Sequence, residues 1–251
     1  MRRTVPAIMC VAVLSLGASA SGREPAPTPA ERHSFQFTRA VYTSGGWGWG
    51  RRGGAWATDY PKADLQFLVV ARRVTNLDAY PEENAIRLDD PALRRHPFLY
   101  AVEVGQMALT DAEVAGLRSH LLAGGFLVVD DFWGTYQWEQ FERNIRRVFP
   151  DRPIEELASD DGIFRAFYRI DEVVQVPSIN NIRRGRTWEQ DGYVPRVFGI
   201  RAEDGRLMVV INWNTDLGDA WEWAEQPDYP LVYSTFAYQM GVNLIVHAMS
   251  H

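Results

Sequence analysis

The chain has 251 residues, of which 46% are hydrophobic and 23% are charged. These proportions are typical of a globular protein and exclude a collagen, a coiled coil and a chain that is disordered throughout. The formal net charge of −6, without a basic stripe, argues against nucleic-acid binding.

The amino-terminal segment, residues 1–20, has the organisation of a secretory signal peptide. Two arginines precede an apolar stretch from Val5 to Leu16, and a small-residue cleavage motif ends at Ala20. We therefore expect export, with the mature protein periplasmic or extracellular after cleavage. The alternative is an uncleaved membrane anchor, for which the apolar stretch is short.

The rest of the chain is predicted to be a linker followed by one domain. Residues 21–34 contain three prolines and are typical of a flexible linker, and residues 35–251 form the predicted domain. The only cysteine is Cys10, which signal-peptide cleavage would remove. The mature domain is then expected to have no disulfide, no zinc–thiolate site and no cysteine nucleophile.

Strand and helix patterns alternate along this domain. Apolar and β-branched runs indicate strands, and apolar residues at helical spacing between capping signals indicate helices. The clearest helix start is Thr110, with Glu113 at the spacing of a capping box. In chain order we predict a strand over Phe35–Thr43, a glycine- and tryptophan-rich loop over 44–56, a helix over Pro61–Thr75, strands over Ala85–Leu88 and Phe98–Val104, a helix over Thr110–Leu122, a strand over Phe126–Val129, a helix over Gln137–Val148, a hairpin of Val197–Ala202 and Leu207–Asn212, and a helix over Pro230–His251.

This order predicts an α/β fold with a mostly parallel sheet, helices on both faces and a hairpin at one edge. The last predicted helix has no acidic residue, lysine or arginine, so a membrane span is an alternative. However, Thr235, Gln239, Asn243 and His247 form a polar stripe along it. The stripe favours a helix that packs on the core, and we expect no membrane span in the mature chain.

Three segments carry a family resemblance. They read FLYAVE at 98–103, LTDAE at 109–113 and GGFLVVDD at 124–131, and they resemble the central βαβ unit of class I glutamine amidotransferase-like domains. Together with the glycine–tryptophan loop and NWNTD at 212–216, they make the chain similar to the bacterial family called domain of unknown function 4159, from about Phe35 to His251.

The resemblance implies a flavodoxin-like fold in an exported protein of the cell envelope. Genes of this family often lie near those for MoxR-type ATPases and von Willebrand A-type proteins, which implies a link to such partners. The amidotransferases use a cysteine nucleophile at a turn after a strand, whereas here the matching stretch begins Asp130-Asp131. The composition therefore excludes cysteine-dependent amidotransferase activity and is typical of a pseudoenzyme.

The candidate ligand-binding residues follow predicted strands, because ligands of open α/β sheets bind outside the carboxyl ends of the strands. Residues 48–53 also match G-x-G-x-x-G, but no helix opens at the third glycine, so we expect no nucleotide cofactor. The tryptophans of the loop could equally pack it against the domain. The candidate residues are Trp47, Arg51, Arg52, Glu103, Asp130, Asp131 and Trp133.

Two other interpretations of the polar residues stay open. The acidic residues after the strands could cap helices or pair with arginines. Asn212, Asn214 and Asp216 alternate like the start of a calcium loop, but the glycine is one place late and the closing glutamate is missing. We therefore predict no metal site from the sequence and no cofactor.

Three functions fit these observations. The leading hypothesis is a protein that binds a small ligand, such as a glycan, or an envelope protein partner at the strand ends. Under this hypothesis the protein is not an enzyme. The second is a carboxylate-dependent hydrolase of a glycan or peptide, which requires carboxylates that converge with at least one desolvated. The third is an assembly subunit that uses its tryptophans as a protein interface.

Overall fold

The computed structural model describes residues 28, 32–45 and 54–250. The predicted signal peptide, most of the linker, and Trp47, Arg51 and Arg52 of the glycine–tryptophan loop lie outside the described residues. The strands are β1 (Arg39–Val41), β2 (Ala85–Arg87), β3 (Phe98–Val102), β4 (Phe126–Asp130), β5 (Glu155–Glu156), β6 (Arg196–Arg201) and β7 (Leu207–Trp213). The helices are α1 (Lys62–Thr75), α2 (Asp111–Leu122), α3 (Gly134–Val148), α4 (Ile179–Arg183), α5 (Leu217–Glu222) and α6 (Leu231–Ser250).

The seven strands form one mixed sheet in the order β2-β1-β3-β4-β7-β6-β5. The first five in this order are parallel, while β6 and β5 are antiparallel to their neighbours. The predicted α/β class, the parallel sheet and the hairpin are therefore confirmed. The hairpin does not itself form the sheet edge, because the two-residue strand β5 pairs outside it.

Helices cover both faces of the sheet, which explains why its central strands are apolar throughout. All five residues of β3 and of β4 are buried, and successive side chains join opposite cores. Tyr100 and Val128 pack with α1, α5 and α6, whereas Leu99 and Val129 pack with α2 and α3. The carboxyl ends of β3, β4 and β7 are thereby held side by side at one edge of this packed sandwich.

Local signals set several helix boundaries. The predicted capping box is confirmed, because the Thr110 side chain accepts from the Glu113 backbone N–H and Glu113 accepts from the Thr110 backbone N–H. Helix α3 begins at Gly134, three residues before the predicted start, because Asn214 accepts a hydrogen bond from the Gly134 N–H at 2.8 Å.

The predicted polar stripe on the last helix is only half exposed. Thr235 is exposed, but Asn243 is fully buried and His247 is 9% exposed. Asn243 accepts from the backbone N–H groups of Phe167 and Tyr168 and donates to the Tyr168 carbonyl, so its amide bonds an irregular segment instead of water. Across the described part of the chain, no helix is both long and apolar enough to cross a bilayer.

Candidate functional site

Three adjacent parallel strands end in the same unusual backbone conformation. Glu103 after β3, Asp131 after β4 and Asn214 after β7 have φ values of 53°, 49° and 62°. Non-glycine residues seldom adopt this left-handed region, and Asp and Asn tolerate it best. The conformation turns each chain away from the sheet and leaves a polar side chain at the strand end.

Five carboxylates meet beside these strand ends, and we call Asp59, Asp131, Asp216, Asp219 and Glu222 the acidic cluster. One oxygen each of Asp59, Asp131 and Asp216 lie within 4.8 Å of one another. The same holds for Asp59, Asp219 and Glu222, so Asp59 belongs to both triads. The residues come from the loop after β1, the end of β4 and the loop and helix after β7.

We call Asp59, Asp131 and Asp216 the inner triad, and each of its carboxylates is positioned by its own local geometry. The Trp133 indole N–H donates to Asp131 Oδ1 at 3.1 Å, and the Asp219 N–H donates to Asp216 Oδ1 at 2.8 Å as the cap of α5. Asp59 has a φ of 59° in the turn that leads into α1. The second oxygen of Asp131 and of Asp216 receives no hydrogen bond from the described residues, so both are available to a ligand.

Asp131 does not cap the helix that follows it. The first N–H groups of α3 are taken by Asn214 Oδ1, on Gly134 at 2.8 Å, and by Asp191 Oδ1, on Thr135 at 2.9 Å. The capping alternative that the sequence left open therefore does not describe Asp131.

Asp130, in contrast, anchors the start of α5. Its Oδ2 accepts from the Tyr100 hydroxyl at 2.6 Å and from the N–H groups of Leu217 and Gly218 at 2.8 and 3.2 Å. Its Oδ1 is fully buried and has no hydrogen-bond partner among the described residues. A buried carboxylate oxygen without a partner is costly in free energy, so this atom requires an explanation.

Gly218 forms the floor between these groups. A Cβ at this position would lie 3.1 Å from the Tyr100 hydroxyl, 3.4 Å from Asp59 Oδ2 and 3.5 Å from Asp216 Oδ1. The Tyr100 hydroxyl, which donates to Asp130, and one oxygen each of Asp59 and Asp216 therefore surround the same glycine. Because glycine has no side chain, the space next to Gly218 stays open beside these carboxylates.

Burial and mutual repulsion raise the pKa values of Asp59, Asp131 and Asp216. Burial first, then the charge of Glu103, raises the pKa of Asp131, and burial, then Asp131, raises the pKa of Asp216. Burial, followed by the charges of Asp219 and Glu222, also raises the pKa of Asp59. The ionised forms of these groups are therefore disfavoured unless a cation joins them.

Burial also raises the pKa of Asp219 to about 6, although this carboxylate accepts a hydrogen bond from the Ile179 backbone N–H. Burial raises the pKa of Asp130 to about 7. Both groups accordingly titrate close to neutral pH.

Two protein cations lie near the cluster without neutralising it. Arg39 is fully buried and already forms a bidentate pair with Asp64, which is 1% exposed. Lys62 places its ammonium 3.8 Å from Glu222 Oε1 and 4.2 Å from the centre of the Trp223 ring, at the outer side of the cluster.

Comparison with known protein families assigns the chain. A family model described as "Domain of unknown function (DUF4159)" matches residues 37–249. The chain belongs to the DUF4159 family. A comparison with curated proteins gives no match.

In this DUF4159 domain, four of the candidate residues predicted from the sequence are described, and they converge. Glu103 and Asp131 end neighbouring strands, and the Glu103 N–H donates to the Asp131 carbonyl at 3.0 Å. Trp133 is 2% exposed and supports Asp131 from below, so it offers little surface to a ligand. Asp130 supports α5. Asp131 is thus the predicted residue best placed to contact a ligand.

Sequence reasoning missed Asp59 and Glu222 as members of the cluster. Asp216 belongs to the calcium-like pattern, but the Asn214 side chain of that pattern instead accepts from the Gly134 N–H and donates to the Val194 carbonyl. The signal that could have found Asp59 is its position after β1 in the same parallel sheet.

Proposed function

We propose that this DUF4159 domain is an exported, flavodoxin-like member of the glutamine amidotransferase-like type that binds a cationic ligand or a cationic partner in the cell envelope. The spatial order of the five parallel strands supports the flavodoxin-like assignment. Taking β7 as the fifth parallel strand, the order is 2-1-3-4-5, which is the order of that fold. In such folds the ligand lies at the carboxyl ends of the strands, where the acidic cluster is found.

The observation that carries the proposal is the convergence of Asp59, Asp131 and Asp216 within 4.8 Å. Carboxylates brought this close in a buried place repel one another, and their assembly lowers stability unless something compensates for the charge. Arg39 acts on Asp59 through its charge but is ion-paired with Asp64, and Lys62 pairs with Glu222 outside the triad of Asp59, Asp131 and Asp216. No ion pair with Asp131 or Asp216 is found among the described residues. A bound cation would compensate for their charge.

A thermal-shift screen of the full chain tests this function. The screen compares metal ions, spermidine, neutral glycans and nucleotides, each with wild type and with Asp131→Asn, which keeps the acceptor for Trp133. We expect cations to raise the melting temperature of wild type and to lose this effect in the variant, since only binding to the native state stabilises it. Asp171→Asn, at an exposed ion pair with Arg169, is the matched control. A shift with glycans or nucleotides but with no cation would contradict the proposal.

A second candidate, a carboxylate-dependent hydrolase, is favoured by one specific observation. Asp131 and Asp216 bring one carboxylate oxygen each to within 4.8 Å of the other, and retaining glycosidases also use two neighbouring carboxyl groups, about 5–5.5 Å apart. Burial raises the pKa of both groups, as a general acid requires. Release of reducing ends from a panel of glycans by wild type, but not by Asp131→Asn, would favour this candidate over simple binding.

A further inference from the structure

We propose that Asp59, Asp131 and Asp216 are the protein ligands of a single divalent cation that prefers oxygen donors, namely Ca²⁺, Mg²⁺ or Mn²⁺. This inference rests on the function proposed above, because it names the cation that the acidic cluster binds. It goes beyond that function in assigning the ligands and the chemical class of the ion.

The spacing of the three oxygens fits one shared ion. Such cations bind oxygen at about 2.0–2.6 Å, so two donors on opposite sides of one ion are separated by roughly 4–5 Å, and adjacent donors by less. All three pairs of oxygens in the inner triad fall within 4.8 Å. One ion can therefore contact all three carboxylates with at most small movements of the side chains.

The chemistry of the donors selects the class of ion. The inner triad offers carboxylate oxygens alone, and no histidine or cysteine takes part in either of the acidic triads. Oxygen donors suit Ca²⁺, Mg²⁺ and Mn²⁺, whereas Zn²⁺ and copper favour sites with nitrogen or sulfur. Three protein oxygens leave several coordination positions for water or for an oxygen of a bound molecule.

The ligands are held by further contacts, as in established metal sites. One oxygen of Asp131 is held by the Trp133 indole N–H and one oxygen of Asp216 by the Asp219 N–H, so in each the other oxygen is free to coordinate. Asp59 and Asp131 both adopt the left-handed backbone conformation, which Asp tolerates better than most residues.

An independent observation at Asp130 points to the same ion. This residue is outside both triads, is fully buried, and leaves Oδ1 without a hydrogen-bond partner among the described residues. Its carboxylate lies directly before Asp131 in the chain and bonds the two N–H groups that directly follow Asp216. Its negative charge acts on both Asp131 and Asp216. A divalent ion between those two ligands would attract the Asp130 carboxylate, whose Oδ2 accepts three hydrogen bonds while its Oδ1 accepts none from the described residues.

Direct metal binding by the full chain tests the inference. After treatment with EDTA and removal of the chelator, Mn²⁺ binding is measured from the loss of the free-ion signal in electron paramagnetic resonance, and Ca²⁺ binding by calorimetry. We expect one ion per chain and a loss of affinity of at least tenfold in Asp131→Asn and in Asp216→Asn. Asparagine retains the acceptor oxygen in both and tolerates the left-handed backbone at Asp131.

Two controls separate loss of the site from loss of the fold. Asp171→Asn, at the exposed pair with Arg169, is expected to bind like wild type, and circular dichroism checks that every variant is folded. Asp59→Asn is a third site variant, in a turn outside the strands, and it should also lose at least tenfold in affinity. Unchanged binding in all three site variants would place the ion elsewhere and overturn the inference.

A parallel titration with spermidine distinguishes the two proposals. Binding of spermidine that depends on Asp131, without binding of Mn²⁺ or Ca²⁺ at millimolar concentration, would overturn the metal site and leave the proposed function standing. Absence of binding by spermidine and by both metal ions would overturn both.

Discussion

Two regions of this molecule bury carboxylates in opposite ways. Asp64 is 1% exposed and faces the guanidinium of Arg39, which also donates to the carbonyls of Trp56 and Thr58. A short distance away, Asp131 and Asp216 are almost as deeply buried but face each other and Asp59. The first arrangement satisfies every charge from within the chain, and the second does not. A buried charge that is not compensated costs stability, which is the reason that the proposed function assigns a cation to the second arrangement.

Breaking the buried ion pair of Arg39 and Asp64 should have the largest effect on stability. Replacing Asp64 with Ala leaves the fully buried Arg39 without its carboxylate, and we expect a loss of about 3–5 kcal/mol in the free energy of unfolding. Urea unfolding measures this loss. The double variant Arg39→Met, Asp64→Leu removes both charges and should cost much less. Equal losses in the two variants would show that packing, and not charge, dominates at this site.

Another buried carboxylate, that of Glu113, offers a sharper comparison with Asp131. Glu113 is fully buried and accepts from the Thr43 N–H at 2.9 Å, the Thr43 hydroxyl at 3.0 Å and the Thr110 N–H at 2.8 Å. Glu113→Gln replaces one acceptor oxygen by an NH₂ group, which would then face the N–H or hydroxyl donors of Thr43 or Thr110. We expect a loss of about 1.5–3 kcal/mol, since hydrogen bonds to a charged group are stronger than neutral ones. A change of only about a few tenths of a kcal/mol in the free energy of unfolding, measured with urea, would contradict this expectation.

A buried histidine, His120, avoids a buried charge because it stays neutral. Burial lowers its pKa to about 4, and its Nε2 has no partner among the described residues. Below about pH 6.5 the unfolded chain takes up a proton that native His120 does not, so its contribution to stability is lost as the pH falls toward 4. This contribution is on the order of 2 kcal/mol between pH 7 and 5. Comparing the pH dependence of unfolding in wild type and His120→Gln isolates it, and identical profiles would refute it.

Asp131→Asn should change stability least and in the opposite direction. Without metal, the substitution removes one repelling charge and keeps the acceptor for Trp133, so we expect a gain of about 0.5–2 kcal/mol. The same exchange of carboxylate for amide is thus expected to stabilise at Asp131 and to destabilise at Glu113. Thermal unfolding after chelator treatment measures the sign. A folded but destabilised variant would mean that the Asp131 charge is already compensated within the chain.

The sequence predicts best what depends on neighbouring residues. The capping box of Thr110 and Glu113 and the apolar strands β3 and β4 follow from local patterns, and the structure contains them. The place of Asp131 was also predictable, because the carboxyl ends of parallel strands meet at one edge of a sheet. In these cases a few adjacent residues determine the outcome.

The composition of the acidic cluster could not be predicted in the same way. Asp59 lies in a turn and Glu222 on a short helix, and their approach to Asp131 depends on how α1 and α5 pack on one face of the sheet. The orientation of Trp133 is equally non-local, because its indole points to Asp131 once α3 is fixed by Asn214 and Asp191. A pattern along the chain carries no information on these tertiary contacts.

The single lysine of the chain has a practical consequence. Lys62 is 44% exposed in its side chain and lies over the Trp223 ring beside Glu222, so its amine sits at the outer side of the acidic cluster. An amine-reactive dye would therefore attach to the α-amine of the chain and to one known side chain, which lies next to a natural fluorescence quencher. Such a labelled protein could serve as an optical sensor of occupancy, in which arrival of a cation moves the dye relative to the indole.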